Sequence, residues 1–414
     1  MINSIANPGQ FAAEADVVAI RNDPRVAQAR MTIEALFDRG YGDRLPDEDR
    51  PLLGAFAEEY LTNWLFKAAA SDAQHPRFVR NFLPAHHWHG HDVPGARTGG
   101  DNPDNCYRLA GIAHGTAYRV TGRVLDRKPG NVSFTLTGNY GTSVTIQTVE
   151  DHELEIDADG NFVITIDDTP VAGRSNHMTT APHVKFLFVR DSMMDWAHET
   201  PLELHIERLG PAKAEPLSRD EMAARAAFRS VEDVPLYFWF QNVWSGLAPN
   251  TLRPPFLPAT KGVTGGLVTQ GIAHGTLALG ADDVAILEYH PVDAGYAGVQ
   301  LTEWLYRSLD YHKAQSSLTA AHSAIDSDGL VRCVMAHRDP GVANWLDTSG
   351  HRHSHIILRW QAMRGDASER LHASMKIVKF DELRGELPAD TIWLDAAARA
   401  DQLAARLAAY ARRF

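Results

Sequence analysis

The chain has 414 residues, of which 44% are hydrophobic and 22% are charged. This balance is typical of a globular protein and excludes a disordered or fibrous chain, while the length suits two domains better than one core. Lys and Arg total 40 against 52 Asp and Glu, which gives a formal charge of −12. We therefore expect neither a nucleic acid nor an anionic membrane as a partner, because both select a basic surface.

The sequence also carries indications of where the protein works. No apolar run approaches the ~20 residues that cross a bilayer, and the N-terminus lacks the basic and apolar regions of a secretory signal. The two cysteines, Cys106 and Cys333, are too few for a disulfide framework. These features predict a cytoplasmic protein, and a homo-oligomer is the ordinary expectation for such a chain.

Residues 1–100 are predicted to form a helical region that ends in a His-rich loop. Asp23 and Pro24 are a cap and a first-turn proline, and apolar residues then recur at helical spacing up to Gly40. A second helix is predicted after Asp49. The stretch 84–103 is rich in Gly, Pro, His and Asp, which is typical of a loop.

Two β-rich regions follow. Residues 101–210 contain six short runs that alternate apolar and polar residues or are rich in β-branched residues, and turn signals separate them. Residues 211–261 are predicted to be a helical and aromatic linker, with Ser218 and Glu221 as a capping box. The strand pattern returns over 262–385, and a helix after Asp395 completes the final region, 386–414.

The two β-rich regions contain similar sequences. The hexapeptide GIAHGT occurs at Gly111–Thr116 and at Gly271–Thr276, and an IDxDG pattern occurs at 156–160 and at 325–329. The strands LELHIERL and HIILRW then close the two regions in a similar way. Ordered matches of this kind indicate an internal duplication. The predicted fold is mainly β with accessory helices: two duplicated antiparallel β-sandwich or jelly-roll-like units.

Three segments resemble the family known as domain of unknown function 1214. They are DNPDNCYRLA (101–110), SLDYHKAQSSL (308–318) and HRDPGVANWLDTSG (337–350). The resemblance covers roughly residues 100–385. It implies a mostly β architecture with accessory helices, and it implies no settled reaction.

The strongest candidates for catalysis are two short acid–base groups. Asp310, Tyr311 and His312 form the first group, and His337, Arg338 and Asp339 follow an apolar strand and form the second. His337 or His312 would shuttle a proton, Asp339 or Asp310 would orient the ring, and Tyr311 would donate to a ligand oxygen. Arg338 would hold an oxygen anion. The alternative is ordinary turn chemistry at the Asp-Pro pair.

Two His-rich runs are candidates for a metal site. His87, His89 and His91 would face one side of an extended chain and share a cation, and His351, His353 and His355 repeat the spacing. Neither run has the full set of residues of a known metal signature. The favoured expectation is therefore that no cofactor is needed, with a divalent metal as the alternative.

Aromatic residues supply the candidates for ligand binding. Trp345, beside Asn344, would stack on a flat ligand, and Trp239 and Phe240 belong to an aromatic run between the units. That run is predicted to be buried packing, with a pocket wall as its alternative. His114 and His274, which share the repeated hexapeptide, are expected to be structural residues that close turns.

Nucleotide-binding, nucleophile-elbow and thiol-redox signatures are absent from the sequence. We therefore expect an acid–base enzyme without a cofactor, a lyase, hydratase or hydrolase acting on a small, partly apolar organic molecule. The alternatives are a metal-dependent enzyme that uses the His-rich runs, and a non-catalytic protein that binds a small molecule or a partner.

Overall fold

The computed structural model describes residues 4–141, 144–257, 267 and 269–414. The predicted boundary between linker and second unit, at residues 261–262, lies outside these ranges. The described helices are α1 (Pro8–Ile20), α2 (Pro24–Tyr41), α3 (Leu53–Ala70), α4 (Arg219–Ser245), α5 (Leu383–Glu386) and α6 (Ala396–Ala411).

Several helix ends follow the predicted signals. The Asp23 carboxylate accepts from the backbone N–H of Arg25 at the start of α2, and the capping box of Ser218 and Glu221 opens α4. Asp395 caps α6 in the same manner. The helix α4 differs from the prediction because it continues through the whole aromatic run, past Pro235, and packs against the three N-terminal helices.

Two strand sets make up the first β-unit. Its five-stranded sheet has the order β1-β4-β10-β6-β7, and its four-stranded sheet has the order β11-β5-β8-β9. The strands are β1 (Val79–Asn81), β4 (Asn105–Gly111), β5 (Tyr118–Arg123), β6 (Asn131–Gly138), β7 (Val144–Glu150), β8 (Asn161–Asp167), β9 (His177–Thr179), β10 (Val184–Ser192) and β11 (Glu203–Arg208). A separate hairpin pairs β2 (His86–Trp88) with β3 (His91–Val93).

The second unit repeats this plan strand for strand. Its sheets have the orders β12-β13-β19-β15-β16 and β18-β17-β14-β20. The strands are β12 (Thr251–Leu252), β13 (Gly271–Ala278), β14 (Asp283–Tyr289), β15 (Ala294–Glu303), β16 (Ser317–Thr319), β17 (Val331–Ala336), β18 (Trp345–Asp347), β19 (His353–Met363) and β20 (Ala373–Lys379). This identity of strand order confirms the predicted pair of duplicated sandwich units.

The details of the duplication correct two of the sequence matches. Gly111 is the last residue of β4, whereas Gly271 is the first residue of the corresponding strand β13, so the two GIAHGT hexapeptides are not equivalent. HIILRW lies in β19, whose counterpart is β10 rather than the LELHIERL strand β11. The IDxDG turns do correspond, because Gly160 and Gly329 each donate to the Asp carbonyl three residues before.

The pairing also departs from the prediction in one respect. Each four-stranded sheet contains one parallel pair, β8 with β9 and β17 with β18, while the other pairs of both sandwiches are antiparallel.

Side chains alternate along the central strands of the five-stranded sheets. In β10, Leu187 and Val189 enter the first sandwich core, and in β19, Ile356, Leu358 and Trp360 enter the second. The alternate residues, such as Phe188 and Arg359, point to the opposite side, toward the layer formed by helices α1–α4, which we call the helical layer.

Among the described residues, no helix is both long enough and apolar enough to cross a membrane.

The burial of His355 on β19 makes the stability of the fold depend on pH. The residue is 4% exposed, Nε2 donates to the Trp304 carbonyl at 3.0 Å, and Nδ1 has no hydrogen-bond partner among the described residues. Burial lowers the pKa of His355 to about 4, so the ring is neutral at pH 7. An unfolded His has a pKa of about 6.5. The unfolded chain therefore takes up this proton first as the pH falls.

We expect His355 to remove about 1.4 kcal/mol of unfolding free energy per pH unit between pH 6.5 and pH 4. His355→Gln keeps a donor for the Trp304 carbonyl and cannot titrate in this range. Urea denaturation at pH 7 and pH 5 should show a smaller acid loss in the variant than in the unchanged protein. Equal acid losses in the two proteins would refute this assignment, since all other titrating groups are shared.

Candidate functional site

The residues of the second predicted acid–base group have separate partners. His337 contacts the Thr348 hydroxyl with Nδ1 at 2.7 Å and the Leu279 carbonyl with Nε2 at 3.2 Å. Arg338 lies over the Phe380 ring and pairs with Asp282. Asp339 accepts two hydrogen bonds from Arg399 of α6. These contacts tie loops and the C-terminal helix to the second unit.

The first group lies in the loop between β15 and β16. Partial burial acts to raise the pKa of Asp310, but the charges and hydrogen bonds of Arg97 and Lys313 outweigh this effect and lower the pKa to about 2. Burial lowers the pKa of His312 to about 4, against the opposing charge of Asp310. Tyr311 is buried among Trp196 and Tyr410. A catalytic role for these six residues stays a prediction, and none of them lines the cavity described below.

The His-rich runs do not form the extended ligand sets that the alternative of a metal site requires. The chain reverses at His89 and Gly90, which have φ of +49° and +80°, so His87 pairs across the hairpin with Asp92 rather than sharing a face with His89 and His91. In the other run β19 begins only at His353, whose Nδ1 contacts Asp49. Within the described ranges, no group of three or more His, Cys, Asp or Glu side chains is placed to hold a metal ion.

The predicted aromatic residues divide into two kinds. The indole of Trp345 donates to the Ala336 carbonyl beneath Arg399, and Asn344 binds backbone groups of Ala324 and Arg332. Both are internal to the second unit. On α4, Trp239 is 44% exposed, whereas Phe240 lies on a cavity wall.

A cavity of about 220 Å³ lies between the outer faces of the two five-stranded sheets and the helical layer. We call it the central cavity. A cavity of about 150 Å³ in another protein holds benzene, so this volume suits a molecule built on one substituted ring. Binding sites favour such interfaces between units, with apolar walls and a few convergent polar groups.

Residues at helical spacing on α3 and α4 form one wall of the central cavity. On α3, Tyr60, Asn63, Trp64 and Lys67 recur at i, i+3, i+4 and i+7, so they share one face of the helix. On α4, Asp233, Tyr237 and Phe240 follow the same rule.

Alternate residues on strands of the two five-stranded sheets form the facing walls. The outward residues of the first unit are spaced by two along the strands and are Asn105, Tyr107 and Leu109 on β4 and Phe186, Phe188 and Arg190 on β10. The second unit contributes Ile272 and His274 on β13, and Arg359 and Gln361 on β19. The strands β4 and β13 are almost wholly buried because both of their faces are covered.

Two arginines are the main cationic groups of these walls. Arg190 and Arg359 lie on the corresponding central strands β10 and β19, and both face the central cavity. Arg190 stacks on Phe188 at 4.1 Å and donates to the Thr135 hydroxyl at 3.2 Å. Arg359 donates to the Gly100 carbonyl at 2.6 Å and to the Gln300 side chain.

Burial and the neighbouring charge act on Arg190. Burial lowers its pKa to about 10, and the charge of Arg359 contributes to the lowering. Like charges in one cavity raise the energy of the empty site, and an anion placed between them relieves that repulsion. The planar fork of a guanidinium group also matches the two oxygens of a carboxylate.

The loop 98–101 closes the cavity beside Arg359. Gly99 and Gly100 have φ of +66° and +68°, and a Cβ on Gly100 would lie 2.7 Å from the Tyr306 ring. Asp101 follows, and its carboxylate accepts from the N–H and the hydroxyl of Ser308 at 3.1 and 2.6 Å. Burial raises the pKa of Asp101 to about 6 despite these bonds, so this carboxyl titrates near neutral pH.

A tyrosine and a histidine meet on the same side. The Tyr306 hydroxyl and His274 Nδ1 are 3.1 Å apart, and burial lowers the pKa of His274 well below its usual value. The ring is therefore neutral at pH 7. Tyr306 has φ of +70°, a left-handed conformation that costs a bulky side chain energy and that clusters at functional sites. His274 is thus part of a cavity wall, not of a turn as predicted. His114 does lie in a turn, but its partner is the Thr180 hydroxyl rather than a carbonyl.

Sequence reasoning missed Arg190, Arg359, Lys67 and Asp101 as site residues. One signal was present: in the run VKFLFVRDS, Phe186–Val189 is apolar on both faces of the strand, and Arg190 follows it at a buried position. A cation on a strand that is covered on both sides is costly to bury, so its presence there indicates a polar site. Arg359, Lys67 and Asp101 come from a strand, a helix and a loop that are far apart in sequence, so their convergence is visible only in the folded chain.

No family model and no curated protein matches this chain, so the resemblance to domain of unknown function 1214 stays a prediction. Among solved structures, the chain is similar to an uncharacterized protein from Burkholderia cenocepacia, with 26% identity, a TM-score of 0.72, and coverage of 88% of this chain and 99% of that chain. A protein from Vibrio parahaemolyticus matches with 12% identity over 68% of this chain and 90% of its own, at a TM-score of 0.39. The first similarity extends over both β-units and supports the fold described here.

Proposed function

We propose that the protein binds a small aromatic carboxylate in the central cavity and acts on it by acid–base chemistry without a redox cofactor. The observation that carries this proposal is the pair of guanidinium groups, Arg190 and Arg359, on corresponding strands beside aromatic walls. The aromatic side chains would hold the ring of the ligand, and the two arginines would hold its carboxylate.

The chemical step is assigned to the groups that can move a proton at this cavity. Asp101 changes charge near pH 6, and the Tyr306 hydroxyl contacts a neutral His274 that can accept or relay a proton. These residues replace Asp310, His312 and His337 as the favoured acid–base set. A non-catalytic binding protein would use the same cavity, and it differs by leaving the ligand chemically unchanged.

Titration calorimetry with benzoate and its neutral isostere benzamide tests the binding step. We expect benzoate to bind at pH 7 at least tenfold more tightly, because only the anion relieves the repulsion between the arginines. Equal affinities for the two compounds, or binding of neither at millimolar concentration, would contradict the proposal. NMR of the recovered ligand after incubation with related carboxylates then separates turnover from simple binding.

Because Asp101 lines the central cavity, its titration should make the affinity for benzoate increase as the pH falls. Above pH 6 its carboxylate repels the bound anion, and below pH 6 the neutral carboxyl does not. We expect the affinity to rise by about tenfold between pH 7.5 and pH 5. Asp101→Asn should abolish this change.

The matched control for Asp101 is Glu303. Burial raises the pKa of Glu303 to about 6 as well, against the opposing charge of Arg307, but Glu303 does not line the central cavity. Glu303→Gln should therefore keep the pH dependence of benzoate binding. An unchanged pH profile in Asp101→Asn would show that another group is responsible.

A further inference from the structure

Lys67 is a cavity residue to which the proposed binding of a carboxylate assigns no role. It occupies the last position of the α3 stripe that faces the central cavity, one turn beyond Trp64. Its Nζ lies 4.3 Å from the centroid of the Trp64 ring, and the side chain is half-buried. The amine is therefore reachable from the cavity and is held against an aromatic wall.

Burial of Lys67 acts against the charged form of its amine, whereas the Trp64 ring and Asp233 favour that form. In the part of the chain that the structure describes, no carboxylate lies within ion-pair distance of its Nζ; Asp233, which accepts from the Tyr60 hydroxyl at 3.0 Å, acts on it only from farther away. Burial lowers the pKa of Lys67, and the charge of Asp233 opposes the change. An uncharged lysine amine in a desolvated pocket is a nucleophile toward carbonyl carbon.

We propose that Lys67 forms an imine with a carbonyl group of the ligand, so that the natural ligand class is an aromatic aldehyde or ketone that also carries a carboxylate. This inference rests on the proposed function, because the same cavity holds both groups. The amine nitrogen attacks the carbonyl carbon, a C–N bond forms, and a proton moves from nitrogen to the former carbonyl oxygen. The hydroxyl then leaves as water with a proton from solvent, and a protonated C=N bond remains.

The structure also supplies conditions that an imine needs. Trp64 and Tyr60 precede Lys67 on the same face of α3 and are 3% and 2% exposed, and aromatic walls of this kind limit access of water to the C=N bond. Asp233 is close enough to influence the charge of Lys67. Its carboxylate would stabilise the positive charge of the protonated imine.

Reductive trapping tests the inference on the intact protein. The probes are 4-formylbenzoate and benzaldehyde, each added with sodium cyanoborohydride at pH 7, and peptide mass mapping then locates the secondary amine. We expect Lys67 to be labelled at least tenfold more than the exposed Lys213. Lys67→Arg should remove the label, while Lys185→Arg should keep it; Lys185 is the matched control because it also lies over a ring of the cavity wall, that of Tyr140, at 5.5 Å.

The outcomes separate this inference from the proposed function. Labelling of Lys67 no stronger than that of Lys213 with both probes would overturn the imine, even if benzoate binds as expected. Strong labelling of Lys67 that benzoate does not suppress, with no benzoate binding by calorimetry, would support the amine chemistry and contradict the binding proposal. Circular dichroism of Lys67→Arg confirms that a lost label does not reflect unfolding.

Discussion

Replacing Arg190 by methionine is expected to weaken benzoate binding by about 30-fold or more. The substitution removes one guanidinium group from the central cavity and keeps an apolar side chain of similar length next to Phe188. Removing one partner of a buried charge pair costs about 2–5 kcal/mol, and each 1.4 kcal/mol is tenfold in affinity. Titration calorimetry at pH 7 measures the change directly.

The controls distinguish charge from geometry. Arg190→Lys keeps the charge but loses the planar fork, so we expect a dissociation constant between those of the unchanged protein and Arg190→Met. Arg119→Met removes an arginine that lies on β5 and is 48% exposed, and it should leave benzoate binding unchanged. If Arg190→Met binds benzoate as tightly as the unchanged protein, the carboxylate is held elsewhere.

Arg108→Met is expected to lower the free energy of unfolding by about 3–5 kcal/mol. Arg108 and Asp191 form an ion pair of 2.5 Å, and their side chains are 5% and 0% exposed. Arg108 also donates to the Leu202 carbonyl at 2.7 Å. The substitution leaves a carboxylate of the first sandwich without its cation. Urea denaturation at pH 7 measures the loss.

The exposed pair of Arg119 and Glu207 is the matched control for this experiment. These side chains are 48% and 45% exposed and 3.2 Å apart, so Arg119→Met should cost no more than about 1 kcal/mol. The pH adds a second check. Burial already raises the pKa of Asp191 against the effect of Arg108, so in Arg108→Met protonation of Asp191 should recover part of the lost stability as the pH falls. A loss that grows toward acid pH would contradict this account.

The fold was largely predictable because its local signals agree with its global pattern. The strands of both units alternate apolar and polar residues or are rich in β-branched residues, and the caps at Asp23, Ser218 and Asp395 mark helix starts that the structure confirms. The aromatic run after Pro235 was harder to interpret. Phe238 packs against α2, Phe240 faces the cavity and Trp239 faces solvent. Apolar residues therefore occur on all sides of the helix, and no single apolar face identifies it in the sequence.

The candidate site was much less predictable, for a physical reason. The cavity residues run from Tyr60 to Gln361, and they meet only because two sheets and two helices pack together. A contiguous motif such as His337-Arg338-Asp339 attracts attention, yet adjacent residues of a turn point to different partners. The GIAHGT match was misleading for a related reason. The hexapeptide begins at the end of β4 in the first unit but at the start of β13 in the second, so His274 lies on a strand that lines the cavity and not in a turn.

A crystal structure of the protein with benzoate bound at saturating concentration tests the proposed binding site directly. The account predicts that the ring lies between the aromatic walls of the central cavity and that the carboxylate oxygens lie about 3 Å from guanidinium nitrogens of Arg190 and Arg359. Benzoate bound at another site, with the central cavity holding none, would contradict it.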